Sequence, residues 1–187
     1  MARRLEGTTA YGAVIGGLVY ITLCVVCFVM LPPYFNILLL VGVWFSDIGA
    51  YLVGKKFGRW KIVPAISPNK TLVGFVGACV IPAVIMALIL LTFEYVHPAD
   101  ISDICGFQFY DFNADSVVRF NPFEMLTALQ IFILFFVVGI AGQAGDLFIS
   151  AMKRKVNVKD TGKLIPGHGG ILDRIDALLL ASPVFLA

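Results

Sequence analysis

Residues 72–92 read LVGFVGACVIPAVIMALILLT and contain no charged side chain. A helix needs about 20 consecutive apolar residues to cross the hydrocarbon core of a bilayer, and this stretch meets that length. A strongly apolar soluble domain is the alternative, but its helices would show polar faces at helical spacing, and these runs have almost none. The sequence therefore predicts an all-α integral membrane protein with about five transmembrane helices. The predicted spans are about 11–31, 34–54, 72–96, 125–150 and 171–187.

The charged residues divide between the two ends of these spans. Basic residues precede the first span and crowd the connections 55–71 and 151–170, whereas the connection 97–124 is mostly acidic. Five spans put all the basic segments on one side, which the positive-inside rule makes cytoplasmic. We therefore expect one polytopic membrane domain over 1–187, with cytoplasmic loops at 55–71 and 151–170 and an outer loop at 97–124. The sequence does not decide whether that outer loop holds a short helix or a pair of strands.

Two aspartates lie within the predicted spans, where a charge is costly unless it faces a polar cavity. Asp47 lies in the second span, and a structural, hydrogen-bonded aspartate is the alternative there. Asp146 lies near the inner end of the fourth span, with Ser150 at i+4 and Lys153 and Arg154 at i+7 and i+8. These side chains share one helical face. The stripe places an acid, a hydroxyl and two cations beside the predicted cytoplasmic surface.

The segment after the fourth span contains groups that suit phosphate binding. Three glycines flank His168, at 167, 169 and 170, and allow backbone N–H groups to approach an anion closely. The helix that follows adds the positive end of its dipole. A solvated loop with a glycine-rich turn is the alternative. The density of functional groups favours an anion site.

Carboxylates are also concentrated here. Asp173 and Asp176 are three residues apart on the predicted last helix, and with Asp146 and Asp160 they predict a carboxylate cluster. Oxygen ligands without a Cys/His set indicate magnesium or manganese rather than zinc. A hard cation combined with lysine, arginine and glycine N–H groups suits phosphoryl or nucleotidyl transfer, in which positioning and electrostatics supply most of the catalysis.

Residues 150–176 read SAMKRKVNVKDTGKLIPGHGGILDRID and resemble the signature of the phosphatidate cytidylyltransferase family, S-x-x-K-R-x4-K-D followed by P-G-H-G-G-x-x-D-R-x-D. Segments 44–54 and 67–71 also resemble the family, so the resemblance covers roughly residues 11–187. The chain departs from the family at Val73 and Ile149, where an acid is usual. It begins where the middle of a family member is expected, which indicates a short or truncated member.

The resemblance implies transfer of CMP from CTP to phosphatidic acid, giving CDP-diacylglycerol and pyrophosphate in phospholipid biosynthesis. It implies Asp146 and Asp173 as the principal magnesium ligands, with a second, monovalent cation such as potassium beside them. The expected catalytic and orienting residues are Lys159, Asp160, His168, Arg174 and Asp176. The expected substrate-binding residues are Asp47, Ser67, Lys70, Thr71, Ser150, Lys153, Arg154, Gly169 and Gly170.

The expected partners are CTP, phosphatidic acid and the bilayer, with a homodimer as the assembly and no nucleic acid. The expected location is the bacterial inner membrane, with the site facing the cytoplasm. The nearest alternatives are a CTP-dependent polyprenol kinase, a cytidylyltransferase of archaeal ether lipids and a catalytically inactive homologue. A small ion-coupled transporter belongs to a different class. Its acids should lie near mid-membrane on several spans, whereas Asp146, Asp173 and Asp176 cluster near one surface.

Overall fold

The computed structural model of the chain describes residues 2–95, 109–111, 116–118, 126–155, 157–158, 160–162 and 170–187. Helices make up most of these residues. In chain order the elements are α1 (Ala2–Met30), α2 (Pro33–Phe57), α3 (Leu72–Tyr95), β1 (Phe109–Asp111), β2 (Ser116–Val118), α4 (Ala128–Lys155) and α5 (Leu172–Leu186). Each helix overlaps one of the apolar stretches of the sequence.

Three stretches of these helices are long and apolar enough to cross a membrane: Phe35–Phe57, Leu72–Ile89 and Ala128–Lys155. The apolar part of α1, Val14–Met30, is shorter, and α5 has only 15 residues. Large apolar side chains are exposed along the outside of the helices, as a lipid environment requires and water does not favour. The structure is thus that of a helical integral membrane protein, and the count of five spans stays a prediction.

The helices pack in the order α2 on α3, α3 on α4 and α4 on α5, with α1 against α5. Small residues permit the closest of these approaches: a Cβ added at Gly49 of α2 would lie 2.7 Å from the carbonyl oxygen of Gly77 in α3. Small residues commonly allow membrane helices to pack backbone to backbone in this way. Buried side chains such as Leu39, Phe135 and Val138 fill the space between the helices. The bundle therefore holds α2, α4 and α5 side by side at the end where the polar residues lie.

The acidic connection 97–124 contains a pair of antiparallel strands. β1 pairs with β2, with Tyr110 opposite Val117. Of the two alternatives that the sequence left open, the structure has the strand pair, so the all-α prediction needs this small correction. The rest of that connection lies outside the described residues, as does the loop 163–169.

Two helices run further than predicted at the end that carries the basic residues. α2 continues past 54 to Phe57, and α4 continues past 150 to Lys155. Basic side chains occupy the last turn of each helix, where they interact favourably with the negative end of the helix dipole. Lys153 and Arg154 therefore lie on the helix, as the predicted stripe requires, although the span itself was predicted to end at 150.

The connection between α2 and α3 is folded back on itself. Lys61 forms an antiparallel bridge with Thr71, and the N–H of Ile62 donates to the carbonyl oxygen of Lys70 at 3.2 Å. The N–H of Leu72 donates to the carbonyl oxygen of Trp60 at 3.0 Å. These bonds fix the backbone from Lys70 to Leu72.

Candidate active site

Lys70 and Asp146 form an ion pair between the α2–α3 connection and the end of α4. The Lys70 Nζ lies 2.7 Å from the Asp146 Oδ2 and also donates to the carbonyl oxygen of Gln143 at 3.3 Å. Ser150 donates its hydroxyl to the Asp146 Oδ1 at 3.2 Å. The Asp146 side chain keeps 33% of its surface exposed, so a ligand can reach it. Lys70 therefore contacts the helical face on which the sequence placed Asp146 and Ser150.

Thr71, whose binding of substrate stays a prediction, caps α3 in the structure. Its side chain is buried, and its hydroxyl oxygen accepts the N–H of Gly74 at 3.2 Å. This is the hydrogen bond of a helix N-cap, which satisfies one of the free N–H groups at the start of α3. The neighbouring Ser67 is half-buried, and its backbone N–H donates to the carbonyl oxygen of Val63 at 3.0 Å. The capping bond fixes the start of α3 and with it the backbone position of the adjacent Lys70.

Lys153 and Asp173 form a second, more deeply buried ion pair between α4 and α5. The Lys153 Nζ lies 2.7 Å from the Asp173 Oδ1, and the two side chains are only 13% and 6% exposed. The Asp173 Oδ2 accepts the N–H of Thr161 at 2.8 Å, the Thr161 hydroxyl at 2.9 Å and the N–H of Gly170 at 3.0 Å. The Gly170 N–H that was expected to hold a phosphate thus holds a carboxylate.

These bonds determine the charge state of Asp173, which lies in the first turn of α5 and outside the three helices of spanning length. Burial disfavours the charged form, but hydrogen bonds from Lys153, from the Thr161 N–H and hydroxyl, and from the Gly170 N–H outweigh it. The pKa of Asp173 is therefore held well below its usual range. The carboxylate stays ionised and pins residues 161 and 170 to the start of α5.

Two further acids lie near the first ion pair. Asp47 of α2 interacts electrostatically with Asp146 and Lys70, and Asp176 of α5 does so with Asp146 and Lys153. α5 reaches Asp146 because residue 145 is a glycine: a Cβ there would lie 2.6 Å from the carbonyl oxygen of Asp176. Asp176 is therefore close enough to both ion pairs to interact with Asp146 of one and Lys153 of the other.

The oxygen donors around Asp146 fit a hard divalent cation. The Asp146 and Asp176 carboxyl groups approach closely enough to hydrogen-bond when one of them is protonated. Two ionised carboxylates at that distance repel each other unless a cation lies between them. The Ser150 hydroxyl adds a neutral oxygen, and oxygen ligands are those that magnesium takes. Asp173 fits less well, because its two oxygens already receive four donors.

The predicted cluster of four carboxylates is not assembled in the described part of the chain. No group of three or more acidic, histidine or cysteine side chains there is arranged to hold a metal. Asp146 pairs with Lys70, whereas Asp173 pairs with Lys153. The two predicted metal ligands therefore face different lysine side chains. Asp160 is exposed, and none of the residues described here hydrogen-bonds to its side chain.

Arg154 and Arg174 differ in their surroundings. The Arg154 Nε donates to the carbonyl oxygen of Ile66 at 3.2 Å, and its Nη1 donates to that of Val158 at 3.5 Å. Arg154 therefore connects α4 to the α2–α3 connection. The Arg174 side chain is exposed, with no ion pair to any described carboxylate, and can reach a phosphate. The expected site residues Lys159, His168 and Gly169 lie outside the described residues, so their roles stay predictions.

Sequence reasoning missed three contributors to this site: Gln143, Gly145 and Thr161. Gln143 contributes its backbone carbonyl oxygen, which accepts from Lys70, so its side-chain type carries no signal for this role. Thr161 follows Asp160 directly in the family motif, but nothing in the sequence shows that it donates hydrogen bonds to Asp173. The role of Gly145 depends on how α5 packs, which no local pattern specifies.

Comparisons with known proteins yield one family and several named relatives. The model of the cytidylyltransferase family matches residues 9–187. A phosphatidate cytidylyltransferase of Bacillus subtilis (strain 168) is 41% identical over 144 residues, which cover 76% of this chain and 42% of that protein. A phosphatidate cytidylyltransferase of Staphylococcus aureus (strain COL) is 39% identical over 142 residues, which cover 76% of this chain and 44% of that protein. The uncharacterized protein YnbB of Escherichia coli (strain K12) is 42% identical over 143 residues, covering 75% and 37%. The chain thus spans less than half the length of these relatives.

Proposed function

This chain belongs to the cytidylyltransferase family, and we propose that it transfers CMP from CTP to phosphatidic acid, giving CDP-diacylglycerol and pyrophosphate. The observation that carries the proposal is that Asp176 interacts with both the Lys70–Asp146 and the Lys153–Asp173 pairs. These pairs bring together cations that suit phosphates and carboxylates that suit a metal ion. The relatives that are named phosphatidate cytidylyltransferases support the same reaction.

In the proposed reaction, a phosphate oxygen of phosphatidic acid attacks the α-phosphorus of CTP. A new P–O bond forms as the bond from the α-phosphorus to the β-bridging oxygen breaks, and pyrophosphate leaves. The attacking oxygen is already anionic at neutral pH, so the site needs no strong base. Lys70 and Lys153 neutralise and orient the phosphates, and the exposed Arg174 adds a third cation. Positioning and charge stabilisation of this kind supply most of the catalysis in phosphoryl transfer.

Magnesium, or manganese in its place, would neutralise phosphate charge in this site. Asp146, Asp176 and the Ser150 hydroxyl are the residues whose contacts fit it best. Asp173, the second ligand implied by the family signature, would have to exchange Lys153 or Thr161 for the cation. We also propose a potassium ion beside the magnesium, as the family resemblance implies.

We further propose five spans in a bacterial inner membrane, a site that faces the cytoplasm, and a homodimer. The basic residues at the ends of α2 and α4 support this orientation, because the positive-inside rule places such residues in the cytoplasm. CTP then reaches the site from the cytoplasm, while phosphatidic acid enters sideways from the bilayer.

The position of the label in CTP decides between cytidylyl transfer and the kinase alternative. Purified protein in bilayers receives magnesium, a lipid acceptor and CTP labelled at either the α- or the γ-phosphate. We expect the label to enter the lipid from the α-position only, with phosphatidic acid as acceptor, and Asp146→Asn to serve as the inactive control. Lipid labelled from the γ-position, with a polyprenol as acceptor, would establish a kinase. Faster labelling of an ether-linked acceptor would change the substrate, and a folded protein that labels neither acceptor would overturn the proposal.

A further inference from the structure

We propose that residues 55–61 form a surface that gathers anionic phospholipid headgroups beside the active site. The segment carries Lys55, Lys56, Arg59 and Lys61 and no acidic residue. All four basic side chains are exposed, and none forms an ion pair with a carboxylate in the described part of the chain. Their charge is therefore available to an outside anion.

Two aromatic side chains among these cations point to a lipid as the occupant. Trp60 is 75% exposed and Phe57 is 58% exposed. Tryptophan is enriched at the level of lipid headgroups, where its apolar ring and its N–H group are both accommodated. The Lys56 Nζ lies over the Phe57 ring, 5.4 Å from its centroid, as a cation–π contact requires. A soluble anion would pair with the cations but would leave the aromatic rings in water.

The 55–61 surface lies where a lipid headgroup would be. Phe35–Phe57 is long enough to cross the bilayer, so its last turn and the residues that follow it lie at the membrane boundary. Basic clusters immediately beyond a transmembrane helix attract anionic lipids of the adjoining leaflet. Lys55 extends the cluster back onto α2, where it donates to the Tyr51 hydroxyl at 3.2 Å.

The same segment is joined to the active site by backbone hydrogen bonds. Trp60 accepts the N–H of Leu72, and Ile62 donates to the carbonyl oxygen of Lys70, so the two segments lie side by side. Lys70 in turn is paired with Asp146. If the proposed function holds, phosphatidic acid gathered on the 55–61 surface lies next to the lysine that receives its phosphate, which raises the local concentration of substrate.

The two tryptophans of the chain allow this proposal to be tested without turnover. In Trp44→Phe, Trp60 is the only tryptophan, and its fluorescence is measured in phosphatidylcholine bilayers that contain a fixed fraction of a chain-brominated lipid. We expect brominated phosphatidylglycerol to quench Trp60 at least about twofold more than brominated phosphatidylcholine, since each nearby basic residue adds to the attraction for anionic lipid. Trp60→Phe is the matched control: Trp44, 63% exposed on α2, should be quenched equally by both lipids.

Two further measurements identify the cause of any preference. The substitution of Lys55, Lys56, Arg59 and Lys61 by Gln in the Trp44→Phe protein should remove the preference. Because fewer basic residues can alter insertion, salt provides an independent measurement: at 1 M the screening length falls to about 3 Å, and the preference should disappear without any mutation.

Equal quenching of Trp60 by the two brominated lipids at low salt would overturn the proposal. A change in Trp60 emission on adding CTP to neutral bilayers, without lipid preference, would overturn it by assigning the surface to the nucleotide. The outcomes of this experiment and of the CTP-labelling assay are independent. A lipid preference of Trp60 without any labelled lipid product would contradict the proposed function but support the proposed lipid-binding surface.

Discussion

The Lys70 ammonium lies 2.7 Å from the Asp146 carboxylate and joins the α2–α3 connection to the C-terminal part of α4. Each group is held by a second partner, Lys70 by the Gln143 carbonyl and Asp146 by the Ser150 hydroxyl. The pair keeps a phosphate-binding cation and a metal-binding carboxylate next to each other and mutually neutralised. Substrate and metal would then exchange with groups that are already in position, which avoids the cost of reorganising them during the reaction.

Replacing Lys70 tests whether the α2–α3 connection is part of the active site. We expect Lys70→Ala to lower kcat/KM for CTP or lipid at least about tenfold, equivalent to roughly 1.4 kcal/mol of lost transition-state stabilisation. Lys155→Ala is the matched control, because Lys155 is exposed at the end of α4 and contacts no described site residue. Equal and small effects from both substitutions would reduce the connection to a link between helices.

Replacing Asp146 tests the proposed metal site. Asp146→Asn keeps an oxygen for the Ser150 hydroxyl but removes the negative charge, and an amide binds magnesium poorly. We expect turnover to be lost at every magnesium concentration, while the thermal unfolding midpoint in detergent changes little because the side chain is partly exposed. Ser150→Ala should retain measurable activity with a higher magnesium requirement. Near-normal activity of Asp146→Asn at saturating magnesium would remove Asp146 from the metal site.

Replacing Asp173 should affect stability as well as activity. Asp173→Asn leaves Lys153 charged, 13% exposed and without its partner, and breaking a buried pair in this way costs about 3 kcal/mol. The folded-state pKa of Asp173 is lowered, so its contribution is present at neutral pH and is lost only as the pH falls below the ordinary carboxyl range. We expect a lower unfolding midpoint and faster proteolysis around residue 161.

The double variant Lys153→Met/Asp173→Leu separates the two effects. It removes the unpaired charge, so much of the stability should return while activity does not. Asp173→Asn with an unchanged unfolding midpoint would show that the Lys153–Asp173 pair does not hold α4 and α5 together.

Labelling from outside the cell tests the orientation. In a background without the native cysteines, we expect Asp111→Cys in β1 to react with a membrane-impermeant maleimide in intact cells. Lys163→Cys should react only after the membrane is opened. The expectation follows from the basic residues that flank α2 and α4. Preferential labelling at 163 in intact cells would invert the topology.

The sequence predicted the helices and one half of the site for clear physical reasons. Apolar runs of spanning length identify membrane helices without tertiary information, because each such helix satisfies its own backbone. Asp146 and Ser150 meet because i and i+4 share a helical face, and Lys70 lies on the same membrane side as both because basic loops do. Local spacing and charge asymmetry were sufficient for these three residues.

The other half depends on packing that local patterns do not specify. Lys153 lies on the Asp146 stripe, yet it pairs with Asp173 because α5 comes close to α4. Thr71 belongs to a motif that suggested substrate binding, and in the structure its hydroxyl oxygen accepts the Gly74 N–H as the N-cap of α3. The family signature shows which residues matter, but it does not show which carboxylate faces which cation.

The approach of α5 to Asp146 yields the most discriminating prediction, because two glycines of α4 differ in how closely α5 packs on them. A Cβ at Gly145 would lie 2.6 Å from the Asp176 carbonyl oxygen and 3.1 Å from the Leu180 Cβ. A Cβ at Gly142 would lie 3.7 Å from Ala177, which is an ordinary contact. Gly145→Ala must therefore push α4 and α5 apart next to Asp146, whereas Gly142→Ala need move nothing.

We expect Gly145→Ala to lower kcat/KM at least about tenfold, since displacing catalytic groups by about 1 Å can cost a hundredfold. Overpacking should also destabilise it by about 1–3 kcal/mol, which lowers the unfolding midpoint in detergent. Gly142→Ala should retain activity and be as stable as the parent or more so, because alanine is the better helix former. The two variants carry the same chemical change one turn apart on one helix, so propensity and hydrophobicity cancel in the comparison. Equal behaviour of the two would mean that the backbone contact between Gly145 and Asp176 does not position Asp146.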